Sequence, residues 1–286
     1  MERDNKVGLV LEGGGMRGMY TAGVLDVFME EGLMPDGVIG VSAGAIHGCN
    51  FLAQQYGRSV RYNLKYINDK RYVSLKSLIT TGDLFNVEFC YDTIPNELNK
   101  FDYDKFKEIA KDVPFYVGCT NVETGEPEYI RCTDLKEEMN YLRASASLPL
   151  VSKIVEVGDK KLLDGGVSDS IPMAFFRKIG FKKNIVVLTR PEGYEKKADP
   201  TIGVVEKVYS KYPNLVEACR ERSESYNRTV DYIEYYERQG QAIIIRPSKE
   251  VKIGRVEKNT NKLKYMYKLG RYDTKKKLDK IKEFMA

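Results

Sequence analysis

The sequence predicts an α/β fold, a parallel sheet with helices packed on it, and three observations carry that expectation. Short apolar, β-branched runs recur at residues 7–11, 38–41, 115–120, 184–188 and 242–245. A glycine loop follows the first run and a serine turn follows the second. Helical periodicity fills the gaps, so the chain opens strand, loop, helix, strand, turn, helix. That order buries a parallel sheet between helices.

Each element has its own signal. Residues 7–11 are apolar and are broken by Gly13-Gly14-Gly15, a strand running into a tight loop. Residues 18–31 read as a helix, because Val24, Leu25, Phe28 and Met29 share one face, and Gly32 and Pro35 end it. Residues 38–41 form the second strand, and 43–56 read as the next helix. The stretch 57–95 is irregular and rich in Tyr, Lys and Arg, with a turn at Thr80-Thr81-Gly82-Asp83; it reads as a helical excursion over the site. Residues 115–120 and 128–132 pair across a turn at 123–126. Residues 140–147 are a short helix stopped by Pro149, and 153–157 with 161–163 make a hairpin around Gly158-Asp159. Residues 213–238 are a long helix, and 252 onward is helical and basic. With no repeat or linker, the expectation is one domain over residues 1–286 with a basic helical extension at about 252–286.

Composition narrows the class. An apolar share of 42% with 30% charged residues suits a soluble globular protein. No apolar run approaches a membrane span of about 18 residues, and the run after the polar start 1–6 lacks a cleavage site, so it reads as a strand, not a signal peptide. The five cysteines (Cys49, Cys90, Cys119, Cys132 and Cys219) are odd in number and lack Cys-x-x-Cys spacing. Reduced thiols, a cytoplasmic location and no structural zinc follow as expectations. The net charge of +5 is uneven: residues 252–286 carry +8 and the rest −3. Such a tail suits a membrane surface or nucleic acid, or is only a solvated helix.

The chemistry starts at Gly40-Val41-Ser42-Ala43-Gly44. A serine on a sharp strand-to-helix turn needs small residues two before and two after it, so that strand and helix can pass closely. The following helix N-terminus favours negative charge at the serine. The only histidine in the chain is His47. Five residues along a helix amount to about 140° around the axis and roughly 7.5 Å along it, away from the hydroxyl. His47 is therefore expected to be a packed or surface helix residue, and a Ser-His-Asp triad within the chain is nearly excluded. Among other bases, Asp164 stands out, because it ends a hairpin strand and precedes Gly165-Gly166. Exposed, it would be a feeble base at a pKa near 3.9; desolvation raises it. Most of the rate must then come from stabilising an oxyanion. The loop Gly13-Gly14-Gly15-Met16-Arg17-Gly18 offers bare amides and a fixed positive charge for that purpose. The same glycines fit a dinucleotide fingerprint, but that site wants an acid at the end of the second strand, where Ser42 stands.

These three motifs in this order, together with Ala144-Ser145-Ala146-Ser147-Leu148-Pro149 before the Asp-Gly-Gly, resemble the bacterial branch of the patatin-like phospholipase family. The resemblance covers roughly residues 7–170. It implies a three-layer α/β/α sandwich with a mainly parallel central sheet, a Ser42–Asp164 dyad and an oxyanion loop at residues 13–18. It also implies hydrolysis of ester-linked acyl chains through an acyl-enzyme, without metal or cofactor. Glu12 matches the family's acid before the glycines and is expected to be structural. An acyltransferase on the same dyad and a silent lipid-binding regulator are the competing readings. With a lipid or long-chain ester as the expected partner, Lys262, Lys264, Lys268, Lys275, Lys276 and Lys277 are candidates for peripheral contact with anionic membrane at about 1 kcal/mol each, and no nucleic-acid partner is expected. Phe85, Phe89 and Tyr91 are candidates for an acyl channel or lid, with core packing as the alternative.

Overall fold

The computed structural model describes residues 6–286; the polar segment 1–5 of the sequence reading lies outside the described residues. The apolar runs become eight strands: β1 (Val7–Leu11), β2 (Gly37–Val41), β3 (Phe115–Asn121), β4 (Pro127–Cys132), β5 (Val155–Val157), β6 (Lys160–Asp164), β7 (Lys183–Val187) and β8 (Ala242–Ile245). The helices are α1 (Met19–Glu30), α2 (Ala43–Leu52), α3 (Arg58–Tyr66), α4 (Leu75–Thr81), α5 (Tyr103–Ile109), α6 (Leu135–Ser145), α7 (Met173–Lys178), α8 (Ile202–Val208), α9 (Pro213–Arg238), α10 (Thr260–Lys276) and α11 (Leu278–Met285).

Strands β3-β2-β1-β7-β8 run parallel at the centre, and β4, β5 and β6 add antiparallel pairs at one side. Because side chains alternate across a strand, Leu9, Leu11, Val38, Ile185 and Val187 face one way, against Tyr20, Phe28, Phe51, Leu263 and Met266 of α1, α2 and α10. Val10, Ile39, Val186 and Ile244 face the other way, against Met173, Phe176, Tyr226 and Ile233 of α7 and α9. The result is a three-layer α/β/α arrangement.

Several boundaries differ from the sequence reading for local reasons. A 3₁₀ turn at Gly15–Gly18 precedes α1. Helix α2 stops at Leu52, short of residue 56, because Gln54 and Gly57 take left-handed conformations. Helix α6 begins at Leu135, five residues earlier than periodicity suggested, where the Asp134 side chain caps its amides. The excursion at 57–95 holds α3, α4 and the start of a π-helical segment, Phe89–Leu98, wound around Pro95. Residues 252–259 are not helical; α10 starts after Asn259, whose side chain accepts from the amides of Asn261 and Lys262.

The basic tail is a packed element. A Cβ on Gly23 would lie 2.1 Å from the Tyr267 carbonyl oxygen, and one on Gly270 would lie 2.1 Å from that of Tyr20. Two bare glycines thus let α1 and α10 touch backbone to backbone. The Tyr20 hydroxyl donates to Asp273 and the Tyr267 hydroxyl to Asp26. Arg271 pairs with Glu30 at 2.8 Å and Lys282 with Glu31 at 2.8 Å. Of the six tail lysines, Lys262 meets Glu257, Lys275 lies 3.7 Å from Glu30, and Lys277 donates to the Ile244 carbonyl. Lys264, Lys268 and Lys276 remain exposed.

Candidate active site

Ser42 and Asp164 are 122 residues apart in sequence, and one strand edge brings them together. Strand β3 pairs with β4 along Phe115–Thr120 on one edge. Its other edge is shared. Parallel β2 occupies it as far as Val41 opposite Gly118, and antiparallel β6 takes over with Asp164 opposite Cys119. The two strands therefore meet end to end, and the residue after β2 faces the residue that ends β6.

The junction is clipped by Ser145. Its hydroxyl accepts the Ser42 amide at 2.8 Å and donates to the Gly118 carbonyl at 2.6 Å. Two backbone groups stranded where β2 stops are satisfied by one side chain. The Asp164 amide donates to the Ser147 carbonyl, and Thr120 Oγ1 donates to the Asp164 carbonyl at 2.9 Å. A Cβ on Gly165 would lie 2.3 Å from the Gly118 oxygen, so the turn after the acid needs glycine. Gly40 and Gly44 play the same part at the elbow: their Cβ atoms would sit 2.5 Å from the Ala45 nitrogen and 2.4 Å from the Leu11 oxygen. Ser42 itself has φ 54° and ψ −125°, a backbone region that costs a non-glycine residue roughly 1–3 kcal/mol.

Both side chains are buried. Burial pushes the Asp164 carboxyl above its ordinary range; the Arg222 guanidinium, the Ser42 hydroxyl and the Gly166 amide pull the other way. The Gly166 amide donates to Asp164 Oδ1 at 2.7 Å. His47 is buried on α2, its Nδ1 3.1 Å from the Ser59 hydroxyl, and burial pulls its pKa down to about 4. It is a neutral packing residue beside Gly18, where an added Cβ would stand 2.9 Å from Nε2.

In the glycine loop the Met16 amide donates to the Arg255 carbonyl and the Arg17 amide to the Gly14 carbonyl. The amides of Gly13, Gly14 and Gly15 have no protein acceptor among the described residues. Glu12 is structural: its carboxylate accepts the Thr189 amide, the Thr189 hydroxyl at 3.0 Å and the Tyr226 hydroxyl at 3.0 Å. It ties the end of β1 to the end of β7 and to α9.

Ser42 lies between two cavities. One, of about 160 Å³, is largely apolar, lined by Ile46, Tyr62, Phe85, Tyr91, Met139 and Leu142 among others. Phe89 instead packs edge-on against Tyr66 in the core. The other, of about 280 Å³, also holds Asp164 and the loop glycines and is lined by Arg17, Arg190, Lys196, Lys197, Arg222 and Arg255. Of these the sequence reading singled out only Arg17. The others carry no local signal, since a cation on a helix or loop looks the same whether it faces solvent or a cavity. Among the described residues no cluster of His, Cys, Asp and Glu forms a metal site, and no helix is long and apolar enough to cross a membrane.

The model of the patatin-like phospholipase family matches residues 9–177. The chain belongs to that family. All four motifs of the patatin-like reading fall inside the match. A second model, a domain family of unknown function, matches residues 212–286, and that segment supplies Arg222, Tyr226 and Arg255 to the cationic cavity. The chain is 28% identical over 188 residues to the uncharacterized protein YjjU of Escherichia coli K12, covering 65% of this chain and 52% of that one. It is 28% identical over 186 residues to lysophospholipase nte1 of Aspergillus terreus, covering 61% of this chain and 11% of that one. The chain thus spans about half the length of the first relative and about a tenth of the second. The crystal structure of VipD from Legionella pneumophila aligns at TM-score 0.47 and 13% identity, over 96% of this chain and 67% of that one.

Proposed function

We propose that this patatin-like chain is a serine acyl-hydrolase of lipid esters, with Ser42 as nucleophile and Asp164 as base. The observation that supports the reading is the end-to-end meeting of β2 and β6 on one edge of β3, with Ser42 and Asp164 lining one cavity and Ser42 also lining the apolar one. The acyl chain lies in that cavity. Ser42 Oγ attacks the ester carbonyl carbon while its proton passes to Asp164. The oxygen gains charge against the free amides of Gly13, Gly14 and Gly15, aided by the α2 N-terminus. The alcohol leaves with the proton from Asp164, and an acyl-Ser42 ester remains. Water then attacks that ester, giving its proton to Asp164, and the fatty acid departs as the proton returns to Ser42.

The raised Asp164 pKa brings the carboxylate closer in basicity to a serine proton in flight, which is what a lone acid needs. A base must be unprotonated, so turnover falls as pH drops through that raised pKa, above the usual carboxylate range. The test is hydrolysis of p-nitrophenyl esters and monoacyl phospholipids by wild type, Ser42→Ala and Asp164→Asn. Losses of about 10³-fold or more in both variants are expected, with covalent fluorophosphonate labelling confined to proteins that keep Ser42. Equal activity in all three sinks the reading.

A further inference from the structure

The cationic cavity has a composition that hydrolysis alone does not require. Its six cations face only three carboxylates, Glu12, Asp164 and Asp199. Glu12 is engaged by Thr189 and Tyr226. Asp199 accepts from the amide and hydroxyl of Thr201 at 2.9 and 2.7 Å. Asp164 is the acid of the dyad. Among the described residues none of the six cations lies within 4 Å of a carboxylate.

They are held by other means. The Arg190 guanidinium lies over the Tyr194 ring at 4.2 Å, and the Lys196 ammonium over the Tyr226 ring at 3.9 Å. Ring faces fix a cation without neutralising it. Asn227 of α9 pins the loop by accepting the Lys196 amide at 2.9 Å and donating to its carbonyl at 3.0 Å. Arg222 Nε donates to the Gly166 carbonyl, and Arg17 Nε is buried with no hydrogen-bond partner among the described residues. The crowding acts on the groups themselves. Burial first, then repulsion from Arg190, lowers Arg17 to about 10. Burial first, then Arg222, lowers Lys196 to about 7. Positive charge in excess of the cavity's carboxylates, six cations to three, beside a nucleophile whose other flank is apolar, calls for an anion on the substrate.

Resting on the proposed hydrolase reading, we infer that this cavity is a headgroup subsite for a phosphate monoester, and that it selects glycerophosphate-type acyl esters over choline- or ethanolamine-headed ones. A phosphate offers oxygens to several donors at once, including the fork of Arg17. A quaternary or primary ammonium would enter among like charges. The two tyrosine faces that could cage it already carry Arg190 and Lys196.

The test separates binding from turnover and headgroup from free ion. Calorimetry on Ser42→Ala protein at fixed ionic strength compares glycerol 3-phosphate, inorganic phosphate and glycerophosphocholine. Glycerol 3-phosphate is expected to bind at least tenfold more tightly than glycerophosphocholine, and Arg190→Gln with Lys196→Gln to weaken it tenfold or more. Wild-type kcat/KM is then measured on matched-chain monoacylglycerol phosphate, its choline ester and monoacylglycerol. The phosphate monoester is expected to lead by about tenfold, and the lead to shrink toward unity in the double variant. Arg190→Gln alone, at the rim, moves the ratio in the same direction by less, so the result does not depend on the double variant folding. Equal glycerophosphocholine affinity, or an unchanged ratio in the variants, overturns the subsite. Inorganic phosphate binding without any preference for the phosphate-headed ester makes the cavity a free-anion site and also overturns it. Glycerol 3-phosphate binding with no turnover of any ester overturns the hydrolase reading and the substrate assignment with it, leaving anion recognition alone standing.

Discussion

The two cavities that meet at Ser42 differ in wall, charge and origin in the chain. The apolar one is walled mostly by residues 43–101 and 135–152, which follow the nucleophile elbow and precede the acid in the chain. The cationic one takes its basic wall mainly from residues after the acid: Arg190, Lys196, Arg222 and Arg255. Apolar walls reward any acyl chain in proportion to buried area, about 25 cal/mol per Å². A set of fixed cations discriminates by charge and geometry. On the proposed reading, general chemistry and tail binding sit on the side of the chain with the motifs, whereas discrimination between substrates falls to the segment the motifs do not reach.

The comparison breaks most severely at the seam between the cavities. Ser145→Ala strands the Ser42 amide and the Gly118 carbonyl, both buried, at a cost of about 1–3 kcal/mol for each unpaired group. Activity on neutral and phosphate-headed esters alike is expected to fall about 100-fold, with an earlier thermal melt; an effect on one substrate class only would put Ser145 in a single cavity. Next in size, Met139→Trp narrows the apolar side. Hydrolysis of a dodecanoyl ester is expected to fall about tenfold relative to an acetyl ester, since each methylene left unburied forfeits roughly 0.8 kcal/mol. An unchanged chain-length profile would place the acyl chain elsewhere.

A smaller effect belongs to the cationic side. Lys196 is held near pKa 7 by burial, with Arg222, Arg255 and Arg17 repelling its charge and Glu12 favouring it. A lowered lysine pKa means the cation is present below about 7 and lost above it. KM for a phosphate-headed ester is therefore expected to rise about threefold between pH 6.5 and 8.5, the loss of one screened charge contact, while KM for monoacylglycerol stays flat. Parallel pH profiles would remove Lys196 from recognition. The smallest effect is in stability. Ser42→Gly relieves the positive φ, so the inactive variant is expected to gain about 1 kcal/mol in denaturant unfolding. A loss of stability would show that the hydroxyl matters more to the fold than the backbone strain does.

Much of the site was legible because its signals are local. A small-residue elbow, a run of bare glycines and an acid before Gly165-Gly166 each dictate backbone geometry within a few residues. His47 could be set aside from helical geometry alone, and it proves to be a buried neutral packing residue. The whole loop from Gly13 to Gly18 was a candidate donor set, but the amides of Met16 and Arg17 are taken by the Arg255 and Gly14 carbonyls, contacts with no mark in the loop sequence. The basic tail read as a membrane-facing or merely solvated helix, yet Arg271 and Lys275 pair with Glu30 and Lys282 with Glu31, because the close approach of Gly23 to Tyr267 and of Gly270 to Tyr20 exists only once both helices are placed.

By itself the sequence determined which atoms could do chemistry: a hydroxyl on a strained turn, a carboxylate with no usable imidazole in the chain, and amides without side chains in the way. These follow from short-range sterics, which five or six residues set on their own. Only the tertiary structure decided that the hydroxyl and carboxylate meet, because the meeting depends on two strands of opposite direction sharing one edge of β3. It likewise decided where the cations point. Pairing register and charge orientation depend on contacts across more than a hundred residues, and no local pattern encodes them.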